Sequence, residues 1–160
     1  MNKDCKTVLY FARANLEQLA EDAALDLRTT EGDSNIAELQ GFCCGAELVQ
    51  KMLLQAGFEA IDDKSVYLRQ IESFDYDELC LLVEQAEDVQ KTPEWESFLT
   101  VRADAISEKK DFLYCECKKG RDLAFIKGWK KSVEYVDKYF SALIEKHQKE
   151  TEAGQPLPFD

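Results

Sequence analysis

The sequence predicts an all-α fold: a helical bundle of about six helices with a long C-terminal antiparallel helical hairpin. Three observations carry this. Proline occurs 3 times and glycine 7 times in 160 residues, too few turn formers for a β-sandwich of this size. Apolar residues recur every three to four positions, the period of an amphipathic helix. Ala, Leu, Glu and Lys, which favour helix, are abundant. A hydrophobic share of 45% suffices for one contiguous core. Residues 1–150 read as a single domain, with an acidic helical part over 1–91 and the hairpin over 92–150; residues 151–160 read as a C-terminal arm.

The first helix runs from about Asp4 to Arg28, with a stripe of Leu9, Ala12, Leu16, Leu19, Ala20, Ala23 and Leu27. The second starts at Ser34 or Asn35, with Asn35 and Glu38 spaced as a capping box, and ends at Gly57, a residue suited to a left-handed terminator. It is apolar on several sides, as expected of a helix at the centre of a bundle. Gly41 and Gly45 lie one turn apart on it and leave room for a neighbouring helix to approach closely. A short third helix spans about Lys64 to Ser73. The fourth, Tyr76 to Lys91, opens on Asp75 and Glu78 and carries Leu79, Leu82, Val83, Ala86 and Val89. Thr92-Pro93 is a restart signal, an N-cap followed by proline in the first helical position. The fifth helix runs from Pro93 to about Cys117 and the sixth from Arg121 to about Lys149, separated by Lys118-Lys119-Gly120. A turn this short makes the two antiparallel. At ~1.5 Å per residue each is on the order of 40 Å long, so the hairpin is expected to protrude or to pack against another chain.

The net charge of −12 is unevenly spread. Residues 1–92 hold 8 Lys/Arg against 19 Asp/Glu, whereas residues 93–160 hold 12 against 13. The bases concentrate at Lys109, Lys110, Lys118, Lys119, Arg121, Lys127, Lys130 and Lys131, a candidate contact surface. Aromatic side chains are interleaved with them, but Phe112, Phe125 and Trp129 belong to the core stripe, and the acidic whole counts against nucleic acid as the partner. No apolar run approaches the roughly 18 residues of a membrane span, and the N-terminus has no signal-peptide pattern. The six cysteines fall as Cys43-Cys44, Cys115-x-Cys117 and two singles, Cys5 and Cys80. These spacings suit neither internal bridges nor a tetrahedral zinc site, so the thiols read as reduced small core residues in a cytoplasmic protein.

Catalytic strings are missing: no Walker, G-x-S-x-G or H-E-x-x-H pattern occurs, and the one histidine is His147. Arg102 falls in the apolar seam of the fifth helix and needs a carboxylate, for which Asp122, Glu134 and Asp137 on the sixth helix are the candidates. Glu84-x-x-Glu87 followed by Glu108-x-x-Asp111 resembles the E-x-x-E … E-x-x-D signature of the all-helical nucleoside-triphosphate pyrophosphohydrolases, the MazG-like family. That resemblance implies four carboxylates holding Mg²⁺ against a phosphoanhydride. The bland reading of the same acids is a solvated helix face, with no metal and no cofactor. The tail Gln155-Pro-Leu157-Pro-Phe159 resembles the short Gln-Leu-x-Leu-Phe peptide that docks on bacterial sliding clamps, which implies a tail docking element. Finally, Trp95 … Arg102 … Arg121-Asp-Leu-Ala-Phe-Ile-Lys-Gly-Trp129 resembles small helical-hairpin proteins encoded among tailed-bacteriophage structural genes.

The resulting expectation is a non-enzymatic acidic interaction or assembly protein, with protein partners and self-association foremost, no membrane, and a host-cytoplasmic or virion setting if phage-encoded. Two alternatives stand beside it. One is an acidic nucleic-acid mimic that inhibits a host defence enzyme, as anti-restriction and anti-CRISPR proteins do; the other is the Mg²⁺-dependent pyrophosphohydrolase.

Overall fold

The computed structural model describes residues 7–116 and 120–154, the side chains of 110–116 excepted. Among these residues the fold is an all-helical bundle with no strand: α1 (Thr7–Asp26), α2 (Asp33–Ala56), two short 3-10 turns (Lys64–Tyr67 and Ile71–Ser73), α3 (Tyr76–Gln90), α4 (Pro93–Glu116), α5 (Gly120–Val133) and α6 (Tyr135–Gly154). None of these helices is long and apolar enough to cross a membrane.

The environment divides α1 in two. From Val8 to Leu16 nearly every side is covered, with Val8, Leu9, Ala12, Ala14 and Leu16 buried along with the polar Arg13 and Asn15. Here Gln85 of α3 accepts the Val8 N–H at 3.1 Å, satisfying one of the donors that a helix N-terminus leaves without an internal partner. Beyond Leu16 only Ala23 is buried, and Leu19, expected in the core stripe, is 43% exposed. Leu27, also expected there, lies in the turn after the helix, its N–H closing on the Ala23 carbonyl. This half of α1 lies over α2 with an apolar groove on either flank.

The start of α2 departs from the sequence reading. No Asn35–Glu38 capping box forms: the helix begins at Asp33 after Gly32, and the Asn35 amide donates back to the Glu31 carbonyl at 3.2 Å. The end is as read. Gly57 takes φ 110°, and the N–H groups of Gly57 and Phe58 close onto Leu54 and Leu53, a Schellman arrangement that tucks Phe58 into the core. Residues 64–73 are two turns rather than one helix. Asp63 caps the first through the Ser65 N–H, and the Arg69 carbonyl between them accepts from buried Asn15 at 3.2 Å, which takes it out of any helical ladder. The Asp75–Glu78 capping box of α3 is present in both directions, at 2.8 and 3.2 Å. Thr92 Oγ1 accepts the Trp95 N–H at 3.2 Å, so the Thr92-Pro93 restart holds as well.

The C-terminal half of the expected hairpin is two helices. α5 and α6 are interrupted at Glu134. Just before it, buried Ser132 donates to the Trp129 carbonyl at 2.9 Å, the back-bonding by which serine bends helices. α6 then continues to Gly154, so the first four residues of the expected arm are helical.

Packing follows two patterns. α4 runs antiparallel to α5 and α6, with Lys109 over the Phe125 and Trp129 rings, Arg102 against Asp137, and Trp95 against Phe140. The core beneath holds Phe98, Phe140, Leu143, Leu79 and Val89, each worth ~1.5–3 kcal/mol of burial. α2 and α5 run in the same direction and meet through glycines. A Cβ on Gly41 would lie 2.8 Å from the Phe125 carbonyl carbon, one on Gly45 would lie 2.7 Å from the Trp129 oxygen, and one on Gly128 would lie 2.8 Å from the Glu38 carbonyl carbon. The expected hairpin therefore folds against the acidic part of the chain: α4 and α5 lie on α2, and α6 packs on α1 and α3.

Candidate functional site

Because α5 sits so deep on α2, the exposed half of α1 stands above both helices, and two grooves open along its flanks. The first, about 470 Å³, lies toward α5 and is floored by Ala23, Leu39, Phe42 and Gly128, with Asp22, Asp26, Glu38 and Lys131 at its edges. Leu19 lines it, and Leu25, 57% exposed, lies on the same half of α1. The second, about 480 Å³, lies toward the segment that follows α2. Arg13 and Glu17 line it, with Ala20, Ala24, Leu54 and Ile61 as apolar wall.

Arg13 is among the largest side chains buried among the described residues, 2% exposed. Its Nε donates to Gln50 Oε1 at 3.0 Å and Nη1 to the Glu59 carbonyl at 2.6 Å, and the Tyr10 ring lies 6.0 Å away. Burial lowers its pKa from the ordinary guanidinium value, opposed by Tyr10 and Glu17. Sequence reasoning missed Arg13 because a base within a stripe of Leu9, Ala12 and Leu16 looks like a break in the pattern. Its spacing, four residues after Leu9 and three before Leu16, was the available signal.

The residues singled out from sequence distribute as follows. Arg102 pairs with Asp137 at 2.5 Å and lies over the Phe98 ring, 5.3 Å to its centroid. The N–H does not point at the oxygen, so this is an ion pair rather than a hydrogen bond. The candidates Asp122 and Glu134 are not its partners. The antiparallel register that places Lys109 over Trp129 sets position 102 opposite 137. Glu134 faces Lys130 and Lys138 instead, and Asp122 lies beside Lys109 and Phe125. Of the basic cluster, Lys131 bonds Glu38 at 2.8 Å and Lys127 approaches the same carboxylate at 4.0 Å. That contact holds the Glu38 carboxyl below its usual range. Lys130 lies 4.0 Å from Glu134, and Arg121 is exposed at the start of α5. The side chains of Lys110, Lys118 and Lys119 lie outside the described residues, as do Gln155, Leu157 and Phe159 of the tail.

Glu84, Glu87 and Glu108 are exposed on α3 and α4, and the Asp111 side chain lies outside the description. Among the described residues no group of three or more His, Cys, Asp or Glu side chains is placed to hold a metal ion. Cys43, Cys44 and Cys80 are free thiols, and Cys43 and Cys80 have polar company. Cys43 lies 3.4 Å from the Ala20 carbonyl, which accepts its S–H, and burial pushes its pKa up. Cys80 Sγ is 3.3 Å from His147 Nε2. Tyr76 stacks on that imidazole with centroids 5.4 Å apart and planes 9° from parallel, and its hydroxyl meets Thr151 at 3.0 Å. The antiparallel packing of α3 on α6 brings this cluster together, and nothing in the local spacing of either segment announces it.

No family model, no curated protein and no solved structure matches the chain.

Proposed function

We propose that the protein is a non-enzymatic, acidic, all-helical assembly protein whose copies associate head to tail. In this arrangement the exposed start of α5, around Arg121 and Leu123, seats in the α1–α5 groove of the next copy. One observation carries the reading: apolar side chains stand exposed at two oppositely charged places. Leu19 and Leu25 lie among Asp22 and Asp26 on α1, and Leu123, 59% exposed, lies on α5 with Arg121 and Lys127 outnumbering Asp122 around it. Exposed leucines framed by complementary charge are what a contact needs: the apolar area supplies affinity, and the charges supply register and encounter rate. A contact between two different patches of one chain builds rings where its rotation closes and filaments where it does not. A multi-copy bacteriophage accessory or virion role fits, in line with the resemblance carried by Trp95 to Trp129.

Light scattering at low and high salt tests this. The mass at low salt should exceed that of the monomer and fall as salt screens the charges. Leu123→Glu and Leu25→Lys should each give monomers. A wild-type monomer at both salt concentrations ends the proposal.

A second reading has its own support. Along α1, Glu17 and Glu21, and likewise Asp22 and Asp26, repeat one turn apart at about 6 Å, offering a row of anionic points to an enzyme that binds nucleic acid. It calls for salt-sensitive capture of such an enzyme by a monomeric chain.

A further inference from the structure

The described thiols stand in three different surroundings. Cys44 is exposed on α2. The Cys43 S–H donates to the Ala20 carbonyl, which accepts a hydrogen bond but cannot take a proton, and burial pushes that thiol's pKa up. Cys80 faces a base. Its Sγ lies 3.3 Å from Nε2 of His147, the one histidine of the sequence. In the tautomer that carries its proton on Nδ1, Nε2 accepts the S–H and can take its proton outright. The imidazole is itself held in place. Tyr76 stacks on its face, with centroids 5.4 Å apart and planes 9° from parallel. Thr151 Oγ1 donates to the His147 carbonyl at 2.7 Å, so the Tyr76 hydroxyl, 3.0 Å from that Oγ1, is the donor of its pair. The stacking ring is thereby tied to the backbone of the residue it orients. A nucleophile, a base within hydrogen-bond reach and a third group that fixes the base make up the arrangement that activates a weak nucleophile. Cysteine that serves only as a small core residue needs no base beside it. Cys80 and His147 are half-buried and Tyr76 is 42% exposed, so the cluster borders solvent. A disulfide asks of a protein thiol only that its sulfur be ionised and within reach, and these are the two things the cluster supplies.

We propose that Cys80 is a reactive thiol that exchanges with small-molecule disulfides, with His147 taking its proton and Tyr76 positioning the imidazole. The Cys80 sulfur attacks one sulfur of the disulfide. A new S–S bond forms to Cys80, the original S–S bond breaks, and the leaving thiolate takes up the proton held on His147 Nε2. Cys80 is oxidised to a mixed disulfide, and the other half of the small disulfide is reduced to a thiol. The cluster shares no residue with either groove along α1, and it stands or falls independently of the proposed function.

The test is a time course of the folded full chain with 2-hydroxyethyl disulfide at neutral pH, stopped with N-ethylmaleimide and read by peptide mass spectrometry. The probe is uncharged, so the acidic surroundings of the thiols do not sort it. Tryptic cleavage after Arg69 and Lys91 gives a peptide whose one cysteine is Cys80. Fragmentation of the peptide ending at Lys51 locates the adducts at Cys43 and Cys44. Cys80 should gain the adduct at least about tenfold faster than Cys44, although Cys44 is the more exposed. An unassisted thiol is only a few per cent ionised at this pH, which leaves room for that gain. His147→Gln keeps a polar partner beside the sulfur but cannot take its proton. It should slow Cys80 to the Cys44 rate or below, while the Cys44 rate, which reports an intact fold, stays as in the wild type. Wild-type Cys80 reacting no faster than Cys44 overturns the proposal and leaves the Sγ–Nε2 contact a structural hydrogen bond. So does Cys80 reacting as fast in His147→Gln as in the wild type.

Discussion

At the α2–α5 seam the two helices touch through their main chains; around Phe98 and Phe140, α4 and α6 touch through some of the largest side chains in the molecule. Gly41, Gly45 and Gly128 bring no side chain of their own to the first pair, so the main chain at Phe125, Trp129 and Glu38, with the Ser132 hydroxyl beside Gly45, stands where a Cβ would be. Trp95, Phe98 and Phe140 fill the second region, with ring centroids 5.1 and 5.6 Å apart. One region tolerates no added atom and the other no lost atom. The comparison teaches that burial alone does not rank sensitivity; what decides is whether the contact is made by a side chain or by its absence.

The largest effect is expected on the aromatic side. Phe140→Ala or Phe98→Ala removes a ring that is essentially fully buried and leaves a cavity bounded by neighbours that cannot collapse into it. The loss should be ~3–5 kcal/mol, read as a lower midpoint in urea unfolding with an unchanged slope. A loss below ~1 kcal/mol would mean that the region rearranges freely and is no jigsaw.

Next comes the seam. Gly128→Ala adds one methyl group, which in an open helix would stabilise by ~1 kcal/mol through propensity alone. Here that methyl meets the main chain at Glu38 and Phe42, which cannot rotate away. Overpacking at the upper end of its range, ~3 kcal/mol, outweighs the propensity gain, and a net loss of ~2 kcal/mol is expected. Gly120→Ala is the matched control: nothing among the described residues lies within 4 Å of its Cβ, so the change should lie between neutral and a gain of about 1 kcal/mol. Equal effects at both positions would break the comparison.

These two regions also differ in how far the sequence foretells them. The aromatic core is a matter of periodicity, and Leu79, Val89, Phe98, Phe140 and Leu143 all fall on stripes readable from spacing. Local signals with a steric cause were readable too: Gly57 as a terminator, Asp75 with Glu78, and Thr92-Pro93. The seam was half legible. Gly41 and Gly45 mark a close approach on α2, but Gly128 lies 83 residues beyond Gly45, and no local rule names it as the partner. The break at Glu134 was missed for a related reason: no proline or glycine causes it, and it follows a serine whose hydroxyl turns back on its own helix. The candidate groove was largely hidden. Arg13 sits where periodicity expects a core residue, and the loss of Leu19 from the core depends on where α2 and α5 lie. The Cys80–His147 contact depends on tertiary register alone.

A smaller effect is expected at the Arg102–Asp137 pair, on the margin of the aromatic region. Asp137→Ala leaves the Arg102 guanidinium without its carboxylate, although that guanidinium still lies over the Phe98 ring. Asp137 is 37% exposed, so water screens the pair and the loss should be about 1 kcal/mol. If Arg102→Met costs the same or less, the arginine stem and not its charge is what packs there.

The smallest effect separates the regions by pH. Glu38 borders the seam, where the hydrogen bond from Lys131 holds its carboxyl below the ordinary 4.5, with Lys127 adding to the field. Glu78 lies away from the seam at the start of α3, lowered first by the hydrogen bond from Arg69 and then by the Asp75 N–H. A carboxyl whose folded-state pKa is depressed binds protons less readily than in the unfolded chain. Its contribution is therefore complete above about pH 4.5 and lost as the pH falls through the lower folded value. Melting temperature followed from about pH 6 to 3 should fall for the wild type, and Glu38→Gln should flatten part of that fall. The Glu38 pairs are solvent-exposed, so added salt should reduce the share carried by Glu38. Salt should leave the Gly128→Ala loss unchanged, because that loss is steric. If instead salt rescues Gly128→Ala, the seam is held by its flanking charges and not by the closeness of its main chains.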